Sequence, residues 1–291
     1  MQIGVVFPQN ALSTDPGAVR AFGQGVEELG YRHVRIADHV LGADPAAHPG
    51  WDRPYDVDTH IREPFVLLGF LAAITSLELV TSVIVLPQRQ TALVAKQAAE
   101  VDLLTGGRFR LGIGVGWNAV EFEALGLDFG DRGKRYEEQI GLLRRYWTER
   151  SVTHQGQYET VTGAGIAPHP VQKPIPLWFG GQSAPAYRRA GRLGDGWFPQ
   201  VQPGPELEAA RRVVDRAAVA AGRDPASLGL EGGIGWTGSV EAVTEAAHAW
   251  QAAGATHVAI NTAHSGLTTV DGHLDALGRA AAALERIPAA G

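Results

Sequence analysis

The chain has 291 residues, 45% of them hydrophobic and 19% charged, enough apolar material for one large core or two small ones. Its net charge of −6, with no Lys/Arg-rich run, argues against nucleic acid as a partner. The absence of cysteine excludes disulfides, thiolate metal sites and a Cys nucleophile.

The chain enters a strand at once, at Ile3, with no basic stretch followed by an apolar one, so no signal peptide is expected. No apolar run reaches the length of a membrane span, and a cytoplasmic protein without a membrane partner is the expectation. Eight short apolar runs read as buried strands: residues 3–7, 33–37, 79–86, 109–115, 175–179, 196–199, 228–235 and 257–261. Helices separate them. Asp15-Pro16 caps one that stops at Gly30, and Pro64 starts an apolar helix through Ile74. Thr91 caps a helix closed by Gly106-Gly107, and Asp131 opens a long amphipathic one through Trp147. Ser183, Pro205, Ser239 and Asp271 lie near four further starts. Strict alternation of strand and helix predicts a parallel sheet, and eight units predict a (β/α)8 barrel, or TIM barrel, in one domain over residues 1–291. Two stretches exceed simple connections. Residues 41–62, after the second strand, form a polar loop over the barrel mouth. Residues 117–173, after the fourth, hold a short helix, the long helix and a hairpin near His154.

Phe179-Gly180-Gly181-Gln182-Ser183 runs from a strand through two glycines to a helix-capping Ser. Glycines let backbone approach an anion, and the helix N-terminus offers free N–H groups and a positive dipole end, so the segment outlines a phosphate site. A plain turn with a cap is the bland alternative. Gly114-x-Gly116-x-x-Ala119 fits a dinucleotide fingerprint, yet it follows the fourth strand, whereas a Rossmann domain places it after the first. A better reading is a glycine-rich strand end where a flat ring meets the backbone, beside the alternative of a tight barrel interior. Asp38-His39 falls at the C-terminal end of the second strand, where this fold carries its chemistry, and His titrates near neutrality. Trp197, on the sixth strand, is a candidate for packing a planar ligand and equally a core residue. The remaining histidines lack metal-ligand spacing, so no metal site is expected.

Together these residues resemble the luciferase-like monooxygenase superfamily, in its deazaflavin (coenzyme F420) branch. The resemblance rests on Ala37-Asp38-His39-Val40, on residues 81–87 (TSVIVLP) and on Leu93-Val94-Ala95-Lys96-Gln97. It continues through residues 105–118 (TGGRFRLGIGVGWN) and 121–126 (EFEALG), then residues 172–181 (QKPIPLWFGG) and Gly194-Asp195-Gly196-Trp197. It implies a luciferase-like barrel whose mouth holds a tricyclic ring against Ser82, Val83 and the strand end at Gly114, Gly116, Trp117 and Asn118. The phosphate would sit at Gly180, Gly181, Gln182 and Ser183. His39 would face the redox carbon with Asp38 alongside. A non-prolyl cis peptide at Ser82-Val83 and a homodimer, packed through the helix from Pro64, are also implied. One departure matters: some sugar-phosphate members carry an acid where this chain has Trp117, which counts against a glucose-6-phosphate type of substrate. The resulting expectation is an F420-dependent oxidoreductase that moves a hydride between the deazaflavin C5 and a small organic substrate. The alternatives are an FMN-dependent monooxygenase using reduced flavin and O2, and a flavin-binding protein without turnover.

Overall fold

Short β-branched and apolar runs punctuated by glycine and proline give the barrel its strands, and capped amphipathic segments give its helices. The computed structural model describes residues 1–284. The chain runs β1 (Gln2–Val6), α1 (Pro16–Glu28), β2 (His33–Ile36), α2 (Pro64–Ala72), β3 (Glu78–Thr81), β4 (Ile84–Val85), α3 (Thr91–Thr105) and β5 (Phe109–Gly114). It continues through α4 (Ala119–Ala124), α5 (Arg132–Thr148), the hairpin β6 (Val152–Gln155) and β7 (Thr160–Ala164), β8 (Leu177–Gly180) and α6 (Ala184–Leu193). Then follow β9 (Gly196–Phe198), α7 (Pro205–Ala220), β10 (Gly229–Gly235), α8 (Val240–Ala252), β11 (His257–Asn261) and α9 (Val270–Leu284). Parallel pairing runs β1–β2–β3–β5–β8–β9–β10–β11 and returns to β1, which closes an eight-stranded barrel. The expected (β/α)8 architecture is the one observed.

The third strand is broken. Val80 pairs with Arg110 in β3, and Ile84 pairs with Ile113 in β4, so this strand carries one more residue than its neighbour over the same stretch. The extra residue makes a bulge at Ser82-Val83, whose peptide is cis. Outward-facing Leu79, Ile84, Phe109, Leu111 and Ile113 are fully buried against the helices, where each such side chain contributes about 1.5–3 kcal/mol.

Inside, the barrel is ionic and aromatic. Glu231 on β10 bonds His33 Nε2 at 2.8 Å and Arg110 Nη1 at 2.8 Å, with Arg35 Nη1 at 3.5 Å. Arg110 lies over the Trp178 ring and Arg35 over Phe198. The bulky Trp178 needs small neighbours: a Cβ on Gly196 or Gly229 would fall 2.4 or 2.3 Å from its indole.

The local expectations mostly hold at the helix starts. Asp15, Ser183 and Ser239 each accept a bond from an N–H of the following turn. Thr91 is not a cap. Gln90 takes that position, and the Thr91 hydroxyl donates to Glu159 Oε1 at 2.7 Å instead. The helix from Pro64 stops at Ala72 rather than Ile74, and buries Phe65, Leu67, Leu68 and Leu71 while Val66 stays exposed. The fifth barrel strand starts at Leu177, two residues later than expected, because Pro176 has no N–H for the ladder. Among the described residues no helix is long and apolar enough to cross a membrane.

Candidate active site

A cleft of about 340 Å³ opens at the C-terminal end of the strands, between β2, the bulge, β5 and β8. Its walls include His39, Ser82, Val83, Gly114, Gly116, Trp117 and the segment from Gly180 to Ser183. Residues far apart in the chain, read separately from the sequence, therefore share one cavity.

His39 follows β2 and turns its ring toward α4. Its Nδ1 lies 3.1 and 3.2 Å from the two carboxylate oxygens of Glu121. Glu121 is wholly buried and also accepts bonds from the Val40 N–H at 2.8 Å, the Leu41 N–H at 3.3 Å and the Gln88 amide at 3.2 Å. Burial alone would push the Glu121 carboxyl up, but the hydrogen bond and charge of His39, with Gln88 and Leu41, hold it below the usual carboxylate range. A carboxylate at Nδ1 fixes the proton of neutral imidazole on that nitrogen. In the neutral ring Nε2 presents a lone pair and in the imidazolium a proton, and among the described residues it has no hydrogen-bond partner. His39 can therefore take a proton from a bound hydroxyl and return it. Sequence reasoning gave Glu121 no role, because nothing in the spacing ties it to His39, 82 residues earlier. Asn118 caps α4, accepting from the Val120 N–H at 3.1 Å, while Glu121 turns away to His39.

Asp38 lines the cleft beside His39, and its carboxylate is taken up by other partners. Its carboxylate accepts from Arg89 Nη2 at 2.9 Å, Arg89 Nε at 3.3 Å and the Val85 N–H at 3.1 Å. Both oxygens are engaged in an ion pair that ties β2 to the segment after β4, and this is an anchoring role. Asn118 is buried as a cap outside the cleft wall. Trp197 is also outside it. In β9 alternate side chains face opposite ways, so Trp197 packs outward on Tyr187 of α6, ring centres 5.7 Å apart, while Phe198 points inward beneath Arg35.

The glycines of the cleft have specific tasks. A Cβ on Gly114 or Gly180 would fall 2.7 or 2.9 Å from the Val83 methyls, so these glycines admit the bulge residue itself. Gly181 has φ 138°, a conformation that favours glycine, and a Cβ there would meet Ala186 at 2.7 Å. Behind it Ser183 caps α6, so the expected loop and helix N-terminus for a phosphate are present.

The polar loop after β2 does cover the mouth. Tyr55 lies 4.7 Å from the His39 ring and 6.4 Å from the Trp117 ring, between centres, and Trp51 lies 6.0 Å from Trp117. Burial pushes the Tyr55 phenol up, so it stays protonated. Tyr55 and Gln200 line the cleft without any signal in the sequence periodicity.

A sequence profile described as luciferase-like monooxygenase matches residues 1–287. The chain belongs to the luciferase-like monooxygenase family. A curated relative within reach of it, the F420-dependent glucose-6-phosphate dehydrogenase of Kineococcus radiotolerans, is 32% identical over 188 residues, covering 63% of this chain and 52% of that protein. Matches to such curated relatives cover from 52% to 64% of their lengths. The monooxygenase RslO1 from Streptomyces bottropensis has the same fold, with a TM-score of 0.79 at 18% identity over 98% of this chain and 99% of that one. So has the coenzyme F420-dependent tetrahydromethanopterin reductase from Methanopyrus kandleri, with a TM-score of 0.75 at 16% identity over 96% and 97%.

Proposed function

We propose that this luciferase-like protein is a coenzyme F420-dependent oxidoreductase acting on a small organic substrate. The observation that carries the reading is the buried Glu121–His39 pair, which leaves His39 Nε2 without a partner in a cleft that also holds the bulge and the phosphate-type loop. The names of the Kineococcus and Methanopyrus relatives support the choice of cofactor. The residues fit such a group. Val83 and Ser82 offer a platform for a flat ring, Gly114 and Gly116 bring bare backbone beside it, and Gly180–Ser183 with the start of α6 would take the phosphate. When bound, the deazaflavin supplies a carbon that gives or receives a hydride.

The chain's own residues do the remainder. Glu121 sets the tautomer of His39, so Nε2 accepts the hydroxyl proton of an alcohol as it is oxidised, or donates to a carbonyl as it is reduced. Asp38 and Arg89 hold the backbone that carries His39. Trp51, Tyr55 and Trp117 shield the ring from water and give the substrate an aromatic wall. That wall, with Trp117 where an acid would be needed, favours an uncharged substrate over a sugar phosphate.

The decisive experiment is a fluorescence titration with F420 and FMN side by side. Tight binding of F420 and weak binding of FMN is the expected outcome. The reverse preference would replace the proposal with an FMN-dependent monooxygenase, and binding of neither would remove it.

A further inference from the structure

The ionic network inside the barrel reaches the floor of the cleft through one contact. Arg35 directs Nε and Nη2 together at Ser82 Oγ, at 3.0 and 2.6 Å. Its third nitrogen, Nη1, faces the Gly232 carbonyl at 3.4 Å and Glu231 Oε1 at 3.5 Å. The guanidinium plane lies over Phe198, 4.7 Å from the ring centre. Arg35 is thus held from three sides, and its charge is answered by a Glu231 carboxylate that is itself fully buried.

A hydroxyl has one proton to donate and two lone pairs to accept with, and a guanidinium has no acceptor at all. Ser82 Oγ accepts both Arg35 bonds, so its own proton cannot return to Arg35. Among the described residues no acceptor takes that proton, and Ser82 lines the cleft. The hydroxyl is therefore an oriented donor aimed at whatever occupies the cleft, and the cation behind it strengthens the donation.

We propose that Arg35 is a positioning residue that fixes the Ser82 hydroxyl as a hydrogen-bond donor to the cofactor ring and so favours the more negative, reduced form of that ring. The inference rests on the oxidoreductase reading above. A ring that receives a hydride gains two electrons and one proton, hence one unit of negative charge. A fixed donor backed by a cation binds that form more tightly than the oxidised one. Preorganisation matters here, because a hydroxyl free to rotate would have to be ordered at each binding event.

The test measures dissociation constants of oxidised and of reduced F420 for the parent, Ser82→Ala, Arg35→Lys and the double variant, with thermal unfolding as a control. Ser82→Ala is expected to lower the preference for reduced over oxidised cofactor about tenfold or more, the range for a lost bond to a charged group. Arg35→Lys keeps the charge but loses the fork, and is expected to lower the preference similarly. The double variant should add little, since Arg35 acts through Ser82. A parent-like preference in Ser82→Ala overturns the inference while leaving the oxidoreductase reading intact. So does a full additive loss in the double variant, which would mean that Arg35 acts independently of Ser82. If the parent binds no F420 in either form, the reading and the inference both fall.

Discussion

His39 Nδ1 sits 3.1 Å from Glu121 Oε2, and the carboxylate that holds it is locked in turn by two backbone N–H groups of the very loop that carries His39. The imidazole and its orienting group therefore move as one piece. His39→Ala should keep cofactor affinity within a few-fold and lose about 10²–10⁴ in single-turnover rate. Glu121→Gln, which cannot support the imidazolium, should lose rate with little change in KM. Stopped-flow turnover at saturating cofactor checks both. Weak binding with normal saturated turnover in His39→Ala would reassign His39 to binding.

Asp38→Asn separates anchoring from chemistry. It leaves the half-buried Arg89 with Glu63 as its remaining ionic partner, and losing hydrogen bonds to a charged group costs about 1.5–3 kcal/mol. The expected result is a lower urea midpoint with saturated turnover within a few-fold of the parent. A large rate loss at unchanged stability would put Asp38 in the proton path.

Gly181→Asp tests the phosphate loop. A carboxylate there meets the ligand phosphate with like charge, and the backbone at φ 138° resists any side chain. Affinity for F420 should fall by about a hundredfold or more, on the order of 3 kcal/mol. Gly181→Ala, which adds bulk without charge, should fall less. Parent-like binding by both variants would move the phosphate elsewhere.

Gly180 and Val83 should be coupled. Gly180→Ala places a Cβ 2.9 Å from a Val83 methyl, and overpacking of this kind costs about 1–3 kcal/mol. Removing those methyls in Val83→Ala should recover most of the loss in the double variant. A double-mutant cycle by chemical denaturation that came out additive would contradict the packing described.

The barrel should weaken on mild acidification. Burial, and then the neighbouring Arg110, push His257 down to about 3. An unfolded His binds its proton near 6.5, so between about pH 6.5 and 3 the unfolded chain holds more protons and stability falls as pH falls. The sign is that of a depressed group: its contribution is complete above 6.5 and is lost downward through the folded value. Glu231 adds a further loss that begins as pH falls through the ordinary carboxylate range, where the unfolded chain takes up its proton. Burial would raise it, but the charges of His33, Arg35 and Arg110 hold it well below that range. His257→Gln should flatten the decline of the urea midpoint between pH 6.5 and 4. An unchanged slope would mean that His257 is protonated in the fold.

The barrel was legible because its strands bury their outer face against helices, which leaves short apolar runs such as 109–115 that few other elements produce. The place of His39 and the loop at Gly180 were legible because both sit where a strand ends. The charges inside the barrel were not. Arg35, Arg110 and Glu231 lie in runs that otherwise read as buried, and only closure of the ring brings them within bonding distance. Tyr55 and Trp51 lie in a loop with no periodicity to betray their direction. Trp197 was left open between cleft and core because in a three-residue strand the alternation gives no purchase; it is a core residue, and the inward aromatic is Phe198.

The register shift along the third strand has a consequence for how such a site can arise. Leu79 and Ile84 both face the helices, although regular alternation would put them on opposite faces. Removing one residue between them would restore unbroken alternation, with Leu79, Ile84 and every hydrophobic residue beyond still on the same side. The surplus residue is thus neutral to the packing of the barrel, and what it adds is a second consecutive side chain at the cleft. The platform is a one-residue insertion that the fold absorbs within a few positions, so scaffold and binding surface can vary independently.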